Sequence, residues 1–445
     1  MAQKYKYLHL VNYNTFLLWD IKRYFMTQMA SSHPIVKLGD YIQEEGTKYN
    51  ISDKTKTYGI LGVNNQTGIF DAYEENGSKI KQKYKKMQVG WIAYNPYRVN
   101  VGSIGIRTEE HLFEYISPAY VLFSCKKGLL PEFLFLLMKT DLFNKIIREN
   151  TTGSVRQNLN YSVLSNLQIP LPSLAEQNKI IAVYNATIAQ AKQYSTQAQD
   201  IDQQIEKYLQ DELGIETRDY TVEKRTDDFL HFINYSTIDK WGTDFMIKHI
   251  NSSSSIKYKT KKICQLCNIS SGGTPNRGRK EYYGGNIPWI KTGELKNEIL
   301  TDTEEKLTPL GMNNSSAKLY PKGSLIVAMY GATIGKTAKL GVDATTNQAC
   351  AVLFDIDNKQ IQTDYLWLYL QSQTDKLKAM AYGGAQPNIN AGIVANYEIP
   401  LPPFDTQNEI VEHITRLRKK QKDLQQKSLN LRQQATQQFE QTIFN

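Results

Sequence analysis

The stretch that decides the fold occurs twice: it reads TTGSVRQNLNYSVLSNLQIPLPSLAEQNKII at residues 151–181 and AYGGAQPNINAGIVANYEIPLPPFDTQNEIV at residues 381–411. The two stretches align without a gap. The agreeing positions are Asn158, Asn160, Ile-Pro-Leu-Pro at 169–172, Gln177 and Asn178 in the first copy, and Asn388, Asn390, Ile-Pro-Leu-Pro at 399–402, Gln407 and Asn408 in the second. Self-similarity of this kind is the signature of an internal repeat.

The same offset of 230 residues relates the segments upstream of this stretch. Ser103-Ile104-Gly105 faces Thr333-Ile334-Gly335, and Pro118-Ala119-Tyr120 faces Gln348-Ala349-Cys350. Near the start of each copy, the Asn-Tyr-Asn-Thr run at 12–15 recurs as Asn-Tyr-Ser-Thr at 234–237. We therefore predict two copies of one unit, at about residues 8–230 and 231–445.

Each copy follows the same internal order. A body of short apolar runs, such as Gly-Trp-Ile-Ala-Tyr at 90–94 and Ser-Leu-Ile-Val-Ala at 324–328, is broken by Gly, Pro and Asn, which predicts strands and turns. A helical patch follows at 129–147 and at 364–380. The Ile-Pro-Leu-Pro run then forces an extended backbone, because proline cannot continue a helix.

A long segment without internal Gly or Pro ends each copy, at 173–213 and 404–444. Alternate steps of four and three trace the same apolar seam in both, which predicts coiled-coil helices. The first seam comprises Ile180, Tyr184, Thr187, Ala191, Tyr194, Ala198, Ile201, Ile205 and Tyr208. The second comprises Ile410, Ile414, Leu417, Gln421, Leu424, Ser428, Leu431, Ala435 and Gln438.

Each long helix exposes an apolar stripe that a second helix must cover. The partner is either the other copy in this chain or a helix of another chain. Matching registers favour pairing within the chain, and a pseudo-twofold arrangement then makes the helices antiparallel. The predicted class is α+β, with two α/β globular bodies separated by a pair of long antiparallel coiled-coil helices and an internal pseudo-twofold repeat.

Composition limits the class of protein. The 445 residues suit two to four domains, and 53 Lys and Arg against 44 Asp and Glu give a net charge of +9, which favours a polyanionic partner. The sequence has no long apolar run and no apolar signal-peptide core, so we expect a cytoplasmic protein without a membrane partner. Cys264 and Cys267 form a lone CxxC without the further ligands that a zinc site needs, so no metal site is predicted.

Basic residues are concentrated in segments without acidic residues. Residues 79–107 and 257–280 each hold seven Lys or Arg and no acid, and residues 306–342 hold five lysines and no acid. Tyr, Trp, Asn and Gln lie among them, a mixture that suits phosphate contacts and contacts to base edges. A charged run is often only a solvated face, but its recurrence in both copies favours DNA binding.

No motif predicts catalysis. Gly331-Ala-Thr-Ile-Gly-Lys-Thr337 resembles a phosphate-binding loop, but Tyr330 stands where that motif requires its first glycine. Asn95-Pro96-Tyr97 resembles part of an adenine-methyltransferase pocket but lacks the second proline and a preceding glycine-rich cofactor strand. The six histidines are scattered without the spacing of a metal site. We therefore predict a chain with no catalytic residues.

The chain resembles the specificity subunit of type I restriction-modification systems over nearly its whole length. The residues that carry the resemblance are Ile-Ser-Ser-Gly-Gly-Thr-Pro at 269–275, Tyr-Tyr-Gly-Gly-Asn-Ile-Pro-Trp-Ile at 282–290, Gly-Ala-Thr-Ile-Gly at 331–335, Thr-Asn-Gln-Ala at 346–349 and both Ile-Pro-Leu-Pro segments with their Gln-Asn helices. The first body lacks the Gly-Gly-Thr-Pro turn and looks like a different variety of recognition domain.

The resemblance implies a non-catalytic subunit that recognises a bipartite, asymmetric site in double-stranded DNA with a non-specific spacer. It implies two methyltransferase subunits for adenine methylation and, for cleavage, two motor-nuclease subunits. S-adenosylmethionine, ATP and magnesium would be bound by those partners and not by this chain. Two alternatives stay open: the recognition subunit of a type IIB restriction-modification enzyme, and a coiled-coil adaptor that does not bind DNA.

The resemblance and the repeat together predict the domain order. Residues 1–32 form an N-terminal entry segment, 33–172 the first target-recognition domain, 173–255 the central conserved helix and a linker in which the entry segment recurs at 231–250, 256–402 the second target-recognition domain, and 403–445 the C-terminal conserved helix. We call residues 33–172 the first body and residues 256–402 the second body.

Candidate DNA-binding residues are predicted in both bodies from residue type and position. In the first body, Lys79, Lys81, Lys85 and Lys86 are predicted to contact phosphate, with Arg98, Asn100, Arg156 and Gln157 nearer base edges. In the second, Thr274, Arg277, Arg279, Lys280, Lys291 and Lys336 are predicted to contact the DNA backbone, with Gln386 and Asn388 at bases. Because the loop that ends each body repeats between the copies, its residues could instead support the fold.

Overall fold

The computed structural model describes residue 27 and residues 29–99, 102–150, 158–215, 257–382 and 387–444. It divides into two units, one of residues 1–195 and 425–445 and the other of residues 196–424. The predicted recurrence of the entry segment, at 12–15 and 234–237, lies outside the described residues. Among the described residues, no helix combines the length and apolar character needed to cross a membrane.

The first unit holds eleven strands and four helices of the described chain. The strands are β1 (Ile35–Lys37), β2 (Ile42–Glu44), β3 (Lys48–Tyr49), β4 (Thr57–Asn64), β5 (Gly68–Asn76), β6 (Tyr84–Lys86), β7 (Ile92–Tyr94), β8 (Ile104–Ile106), β9 (Tyr115–Ile116), β10 (Val121–Cys125) and β11 (Gln168–Pro170). The helices are α1 (Pro131–Met138), α2 (Asp141–Asn150), α3 (Tyr161–Ser165) and α4 (Leu174–Leu213), of which α4 continues into the second unit.

These strands form three sheets. A four-stranded sheet has the order β2-β10-β7-β8, a five-stranded sheet has the order β3-β6-β9-β4-β5, and β1 pairs with β11 in antiparallel fashion. The largest apolar core lies between the four-stranded sheet and helices α1 and α2, where Phe123, Phe133 and Phe143 are fully buried. A smaller core around Leu61, Met87 and other buried residues joins the five-stranded sheet to the four-stranded one.

The second unit repeats the order of elements. Its strands are β12 (Thr260–Lys262), β13 (Asn268–Ser271), β14 (Tyr283–Ile290), β15 (Glu298–Leu300), β16 (Lys306–Leu307), β17 (Leu325–Ala328), β18 (Thr337–Leu340), β19 (Thr345–Thr346), β20 (Cys350–Phe354) and β21 (Glu398–Pro400). Its helices are α5 (Pro309–Asn313), α6 (Thr363–Ser372), α7 (Thr374–Ala379), α8 (Ala391–Ala395) and α9 (Phe404–Phe444), of which α9 continues into the first unit.

The predicted repeat is confirmed by the sheet topology. The order β13-β20-β17-β18 matches β2-β10-β7-β8 strand for strand, and the β12–β21 pair matches the β1–β11 pair. The additions to this framework differ: the second body adds β15 at the edge of the matching sheet and a three-stranded sheet of order β16-β14-β19. We call the four matching strands of each body its framework sheet and the β3-β6-β9-β4-β5 and β16-β14-β19 sheets the added sheets.

A buried glutamine attaches each long helix to its body. Gln177 accepts a hydrogen bond from the Leu130 amide at 2.9 Å and donates to the carbonyls of Gly128 and Pro172, both at 2.9 Å. Gln407 does the same, accepting from the Gln362 amide at 2.8 Å and donating to Pro402 O at 3.0 Å. Both glutamine side chains are fully buried, so the repeated glutamine has a structural purpose.

The short helix before each long helix is capped in the same way in both copies. Asn160 accepts from the Val163 amide at 2.9 Å at the start of α3, and Asn390 accepts from the Ile393 amide at 2.9 Å at the start of α8. Asparagine is favoured at this position because its side-chain oxygen satisfies an amide that the helix leaves unpaired. The second repeated asparagine is therefore a helix cap.

The two long helices pair in antiparallel fashion within each unit. In the first unit, Ser428 Oγ donates to Ala191 O at 2.8 Å, and Tyr184 meets Phe439 edge-on at 6.4 Å between ring centroids. In the second unit, Gln421 Nε2 donates to Ala198 O at 2.9 Å. As the α4 residue number rises, the α9 number falls, so pairing within the chain, the favoured alternative, is confirmed.

The predicted seam is correct except at its end. From Ile180 to Tyr208 every predicted α4 position is buried or half-buried, but at the end of α9 Gln438 is exposed and Phe439 is buried instead. A straight helix of 3.6 residues per turn drifts away from a 3.5-residue pattern, so the buried stripe moves by one position over several heptads. Phe439 also packs against Phe133 of the first body, at 5.8 Å between centroids.

Candidate nucleic-acid interface

Two of the predicted lysines of the first body are paired with carboxylates. Lys79 lies 3.7 Å from Glu75, four residues earlier, and Lys86 lies 3.1 Å from Glu114, which is distant in sequence. The hydrogen bond from Lys86 to Glu114 raises the pKa of the lysine. Lys81 is exposed, and no ion pair to it is present among the described residues. The acid-free run at 79–107 is therefore partly neutralised in space by acidic residues outside it.

Lys85 does not fit the predicted phosphate contact. It lies in β6 with 6% of its surface exposed, and its ammonium group donates to the Tyr120 carbonyl at 2.8 Å. Burial lowers its pKa. Lys85 and Lys86 are neighbours in one strand and lie on opposite faces of it, and Lys85 is buried whereas Lys86 is exposed. This prediction is wrong because the two lysines were taken as one exposed run.

The loop between β7 and β8 carries two exposed residues. Tyr97 is 54% exposed, and its amide is held by the Asn95 side chain at 3.0 Å. Arg98 follows it and is also exposed, which is consistent with the predicted base contact. The other first-body candidates for base contacts, Asn100, Arg156 and Gln157, lie outside the described residues.

The Gly-Gly-Thr-Pro turn of the second body is tightly enclosed. A Cβ added to Gly272 would lie 2.1 Å from Thr346 Oγ1, and one added to Gly273 would lie 2.3 Å from the Ala317 amide nitrogen. Both glycines are therefore required by close approach of other backbone segments. The next residue, Thr274, donates its hydroxyl hydrogen bond to the Gln348 side chain. The turn is a rigid, pre-formed feature.

Arg277 holds this turn. Its guanidinium carbon lies 4.8 Å from the Tyr283 ring centroid and 4.6 Å from that of Trp289. These rings in turn donate hydrogen bonds to the turn backbone, Tyr283 OH to Pro275 O at 2.6 Å and Trp289 Nε1 to Gly273 O at 2.9 Å. Stacking of an arginine on aromatic faces is favourable and orients the guanidinium.

Glu305 neutralises two of the predicted cations. It accepts from Arg277 Nη1 at 2.5 Å, and its other oxygen lies 2.9 Å from Lys291 Nζ. These two cations, Arg277 first, lower the pKa of the Glu305 carboxyl. Lys291 also lies 3.2 Å from Glu304. The fold therefore brings Glu305 against Arg277, which belongs to the acid-free segment 257–280, and brings Glu304 and Glu305 against Lys291.

The remaining cations of the second body are exposed to different degrees. Arg279 lies 3.3 Å from Glu281 on the surface, a geometry that contributes little energy. Lys280 is exposed and Lys336 half-buried, and no ion pair to either is present in the described part of the chain. Lys280 and Lys336 thus remain the second-body lysines that fit the predicted phosphate contacts best.

Asn388 lies between two exposed tyrosines. It forms antiparallel bridges with Tyr330 on one side and Tyr382 on the other, so the three side chains share one face. Tyr330 is 47% exposed and Tyr382 is 50% exposed. The Tyr382 hydroxyl accepts a hydrogen bond from Asn390 at 2.9 Å, which fixes the ring. Gln386, predicted to contact bases beside Asn388, lies outside the described residues.

The exposed tyrosines were missed by the sequence analysis, although a signal was present. The Leu159 amide donates to Pro96 O at 3.0 Å, and the Ile389 amide, its repeat equivalent, donates to Met329 O at 2.9 Å. Pro96 and Met329 therefore occupy the same place, and the residue after each is an exposed tyrosine, Tyr97 or Tyr330. When the two copies are aligned by this backbone hydrogen bond, rather than by a constant offset of 230 residues, Tyr97 and Tyr330 become equivalent.

The segment 331–337 is not a phosphate-binding loop. It forms a short turn at Gly331–Thr333 between β17 and β18, two antiparallel neighbours of one sheet. A phosphate-binding loop instead joins a strand to a helix, whose N-terminus helps to bind the anion. Gly331 and Gly335 adopt φ values of 62° and 78°, which explains the glycines by turn geometry.

Known proteins match this chain along most of its length. A family model described as the type I restriction modification DNA specificity domain matches residues 35–199 and 255–432. The HindI specificity subunit of Haemophilus influenzae is 26% identical over 313 residues, which cover 61% of this chain and 68% of that protein. The MjaIX specificity subunit of Methanocaldococcus jannaschii is 28% identical over 176 residues, 38% of this chain and 40% of that protein.

A solved structure supports the same fold. A chain from a study of complex assembly and conformational transition of the type I restriction-modification system covers 94% of this chain and 97% of its own length, with a TM-score of 0.58 and 15% identity. Since the two matches to the family model include the framework sheet of each body and most of both long helices, this chain belongs to the type I restriction-modification DNA specificity family and carries its domain in two copies.

Proposed function

We propose that this chain selects the DNA sequence for a type I restriction-modification complex. Each body reads one half of a bipartite, asymmetric site in double-stranded DNA, and the bases between the halves are not read. The chain also docks methyltransferase subunits, which methylate adenine in each half. The family match to a DNA specificity domain, found in both copies, supports the first part of this proposal.

One observation carries the proposal: the two bodies share a framework sheet but differ in their added sheets. Each body has to be attached to its long helix, through Gln177 or Gln407. The shared framework is consistent with this shared requirement. The added sheets place different side chains around that framework. A protein that recognises two unequal half-sites requires this combination, because direct readout depends on which side chains reach the base edges.

The exposed side chains suit the two kinds of contact that such a protein makes. Lys81, Lys280 and Lys336 supply phosphate contacts, which position the protein and carry no sequence information. Arg98 suits guanine, to which arginine donates two hydrogen bonds, and Asn388 suits adenine. Tyr330 and Tyr382 confine Asn388 from both sides, which limits its rotamers and favours a single hydrogen-bonding orientation.

The chemistry belongs to partner subunits in this proposal. Two methyltransferase subunits would bind S-adenosylmethionine, and two motor-nuclease subunits, where cleavage occurs, would bind ATP and magnesium. The chain itself contributes binding and orientation and has no catalytic residues. The paired helices α4 and α9 are equivalent elements of the repeat, which suits two copies of one partner.

The decisive experiment is to co-express the chain with the methyltransferase subunit from its own genome and to map methylated adenines by single-molecule sequencing. We expect a split, asymmetric motif that is modified on both strands. A stable complex that modifies no motif would contradict the proposal and favour the coiled-coil adaptor. Double-strand cuts on both sides of the motif by the purified complex would instead identify the type IIB alternative.

A replacement of the second body tests the division of labour. Residues 256–402 are exchanged for the corresponding segment of a relative with a known motif, and the joints fall in the repeated segments. We expect one half of the motif to change and the other half to stay. A change in both halves would contradict the assignment of one half-site to each body.

A further inference from the structure

Helix α9 carries a basic segment that its partner helix lacks. Five of the seven residues from 416 to 422 are Lys or Arg, with no acid among them, whereas the equivalent α4 segment, 186–192, holds only Lys192. The two helices have 40 and 41 residues and pair through the same seam, so pairing alone does not call for a basic segment on only one of them. The seam residues alone therefore do not explain the additional charge of α9.

Two of the five cations are used within the chain. Arg418 lies 2.7 Å from Asp202 and also donates to the buried Gln421 side chain at 2.9 Å. Lys422 lies 3.4 Å from Glu298, the first residue of β15. The other three, Arg416, Lys419 and Lys420, are exposed, and none has an ion pair among the described residues. We call these three the α9 basic patch.

The α9 basic patch concentrates positive charge on one face of the helix. Arg416 lies three and four residues before Lys419 and Lys420, the spacings at which helical side chains are neighbours. A polyanion that binds this face would contact three cations at once. The patch also lacks an exposed apolar or aromatic residue, and protein interfaces are depleted in lysine, so a phosphate backbone fits it better than a protein surface.

We propose that the α9 basic patch binds the phosphate backbone of the unread DNA next to the half-site of the second body. This inference rests on the proposed function and adds a contact outside the bodies. The patch has no role in reading bases, because lysine on one helix face can reach phosphates of any sequence. It contributes affinity, and it does so on one of the two helices only.

The test uses the full chain in complex with its methyltransferase subunit and a duplex that carries the mapped motif. The triple variant R416Q/K419Q/K420Q is compared with K179Q/K192Q/K207Q, which removes the same charge from exposed positions of α4. DNA affinity is measured against salt concentration, and backbone protection is measured by hydroxyl-radical footprinting.

In a plot of log affinity against log salt concentration, each phosphate contact contributes about 0.9 to the steepness of the slope. We therefore expect the α9 variant to reduce the steepness of this slope by about two to three. Protection of spacer phosphates beside the second half-site should be lost, and the methylated motif should stay the same. The α4 control and the charge-preserving variant R416K/K419R/K420R should both retain the wild-type slope.

Three outcomes would overturn the inference: an unchanged slope in the α9 variant, an equal loss in the α4 control, or an altered motif. Release of the methyltransferase subunit with an unchanged slope would also overturn it and assign the patch to a protein partner. Failure of the wild-type complex to modify a split motif would instead refute the proposed function, so the two failures are distinguishable.

Discussion

The two bodies agree in their framework sheets and differ in everything added to them. In the first body the addition is a five-stranded sheet whose long β4–β5 hairpin is exposed along its outer strand. In the second it is a three-stranded sheet and a rigid turn held by Arg277. The residues that repeat between the copies, Gln177 with Gln407 and Asn160 with Asn390, all bind backbone groups.

The repeated residues Gln177, Gln407, Asn160 and Asn390 support the fold, and we expect the residues that read bases to differ between the copies. A residue needed to join a helix to its body must stay the same in both copies, because the backbone it binds is the same. A residue that reads a base must change when the half-site changes. Asn388 repeats as Asn158, so its repetition favours a supporting role, and its position between two exposed tyrosines is the observation that favours a DNA contact.

The largest effect is expected at the buried glutamines. Gln177→Leu leaves one amide and two carbonyls without partners in a buried site, so we expect it to lower the free energy of unfolding by about 2–4 kcal/mol. Gln407→Leu should have an effect of similar size, because its bonding is nearly the same. Urea denaturation followed by circular dichroism measures both.

The neighbouring asparagine provides the control for the glutamine variants. Asn178 is exposed and donates only to Leu174 O within its own helix, at 2.9 Å, so Asn178→Ala should change stability by less than about 0.5 kcal/mol. If Gln177→Leu strongly destabilised the protein and Gln407→Leu did not, the two glutamines would not be equivalent attachments of helix to body.

A smaller effect on stability, confined to the second body, is expected from the substitution Glu305→Gln. Arg277 and Lys291 hold the pKa of its carboxyl below the ordinary value. A depressed carboxyl pKa contributes stability that is fully present above the unfolded value of about 4.5 and is lost as the pH falls through the folded value. Glu305→Gln should therefore lower stability at pH 6 and should flatten its decline between pH 5 and 3, measured as urea midpoints.

Glu281→Gln is the matched control for this change. Glu281 pairs with Arg279 at 3.3 Å on an exposed surface, so its removal should leave the pH dependence nearly unchanged. An equal flattening by both variants would show that net charge, rather than the contact of Glu305 with Arg277 and Lys291, governs acid stability. It would also weaken the assignment of Arg277 to holding the turn.

Much of the fold could be predicted from the sequence because it rests on periodic patterns. The repeat, the antiparallel pairing and the seam from Ile180 to Tyr208 all follow from spacing. The last seam position could not be predicted, because Phe439 packs against Phe133 of a body whose position the heptad does not encode. A local period predicts contacts between the helices but not contacts at their ends.

The candidate site could be predicted less well, because a segment without acidic residues in the sequence can lie beside acidic residues of other segments in the folded structure. Glu305 meets Lys291 and Arg277 across a turn, and Glu114 reaches Lys86 from another strand. Lys85 was misplaced because a run of lysines says nothing about which face of β6 each one occupies. The runs predicted a basic surface, but which cations stay unpaired depends on tertiary structure.

The smallest effect is expected at Tyr97 and Tyr330, and it tests the comparison most directly. These tyrosines occupy equivalent places in bodies that would read different half-sites, so any DNA contact they share must be to the sugar-phosphate backbone. Tyr97→Phe and Tyr330→Phe each remove one hydroxyl, and we expect each to weaken binding by about fivefold, the value of one hydrogen bond. Affinity for cognate and unrelated duplexes should fall in parallel.

Tyr73→Phe is the control, since Tyr73 is 49% exposed but lies beside Glu74 and Glu75, where phosphate would be repelled. It should leave DNA affinity unchanged. A change of the methylated motif in either Tyr97→Phe or Tyr330→Phe would mean that a residue repeated in both bodies reads bases. Repetition would then no longer separate support from recognition, and the repeated Asn388 would become the first residue to re-examine as a base contact.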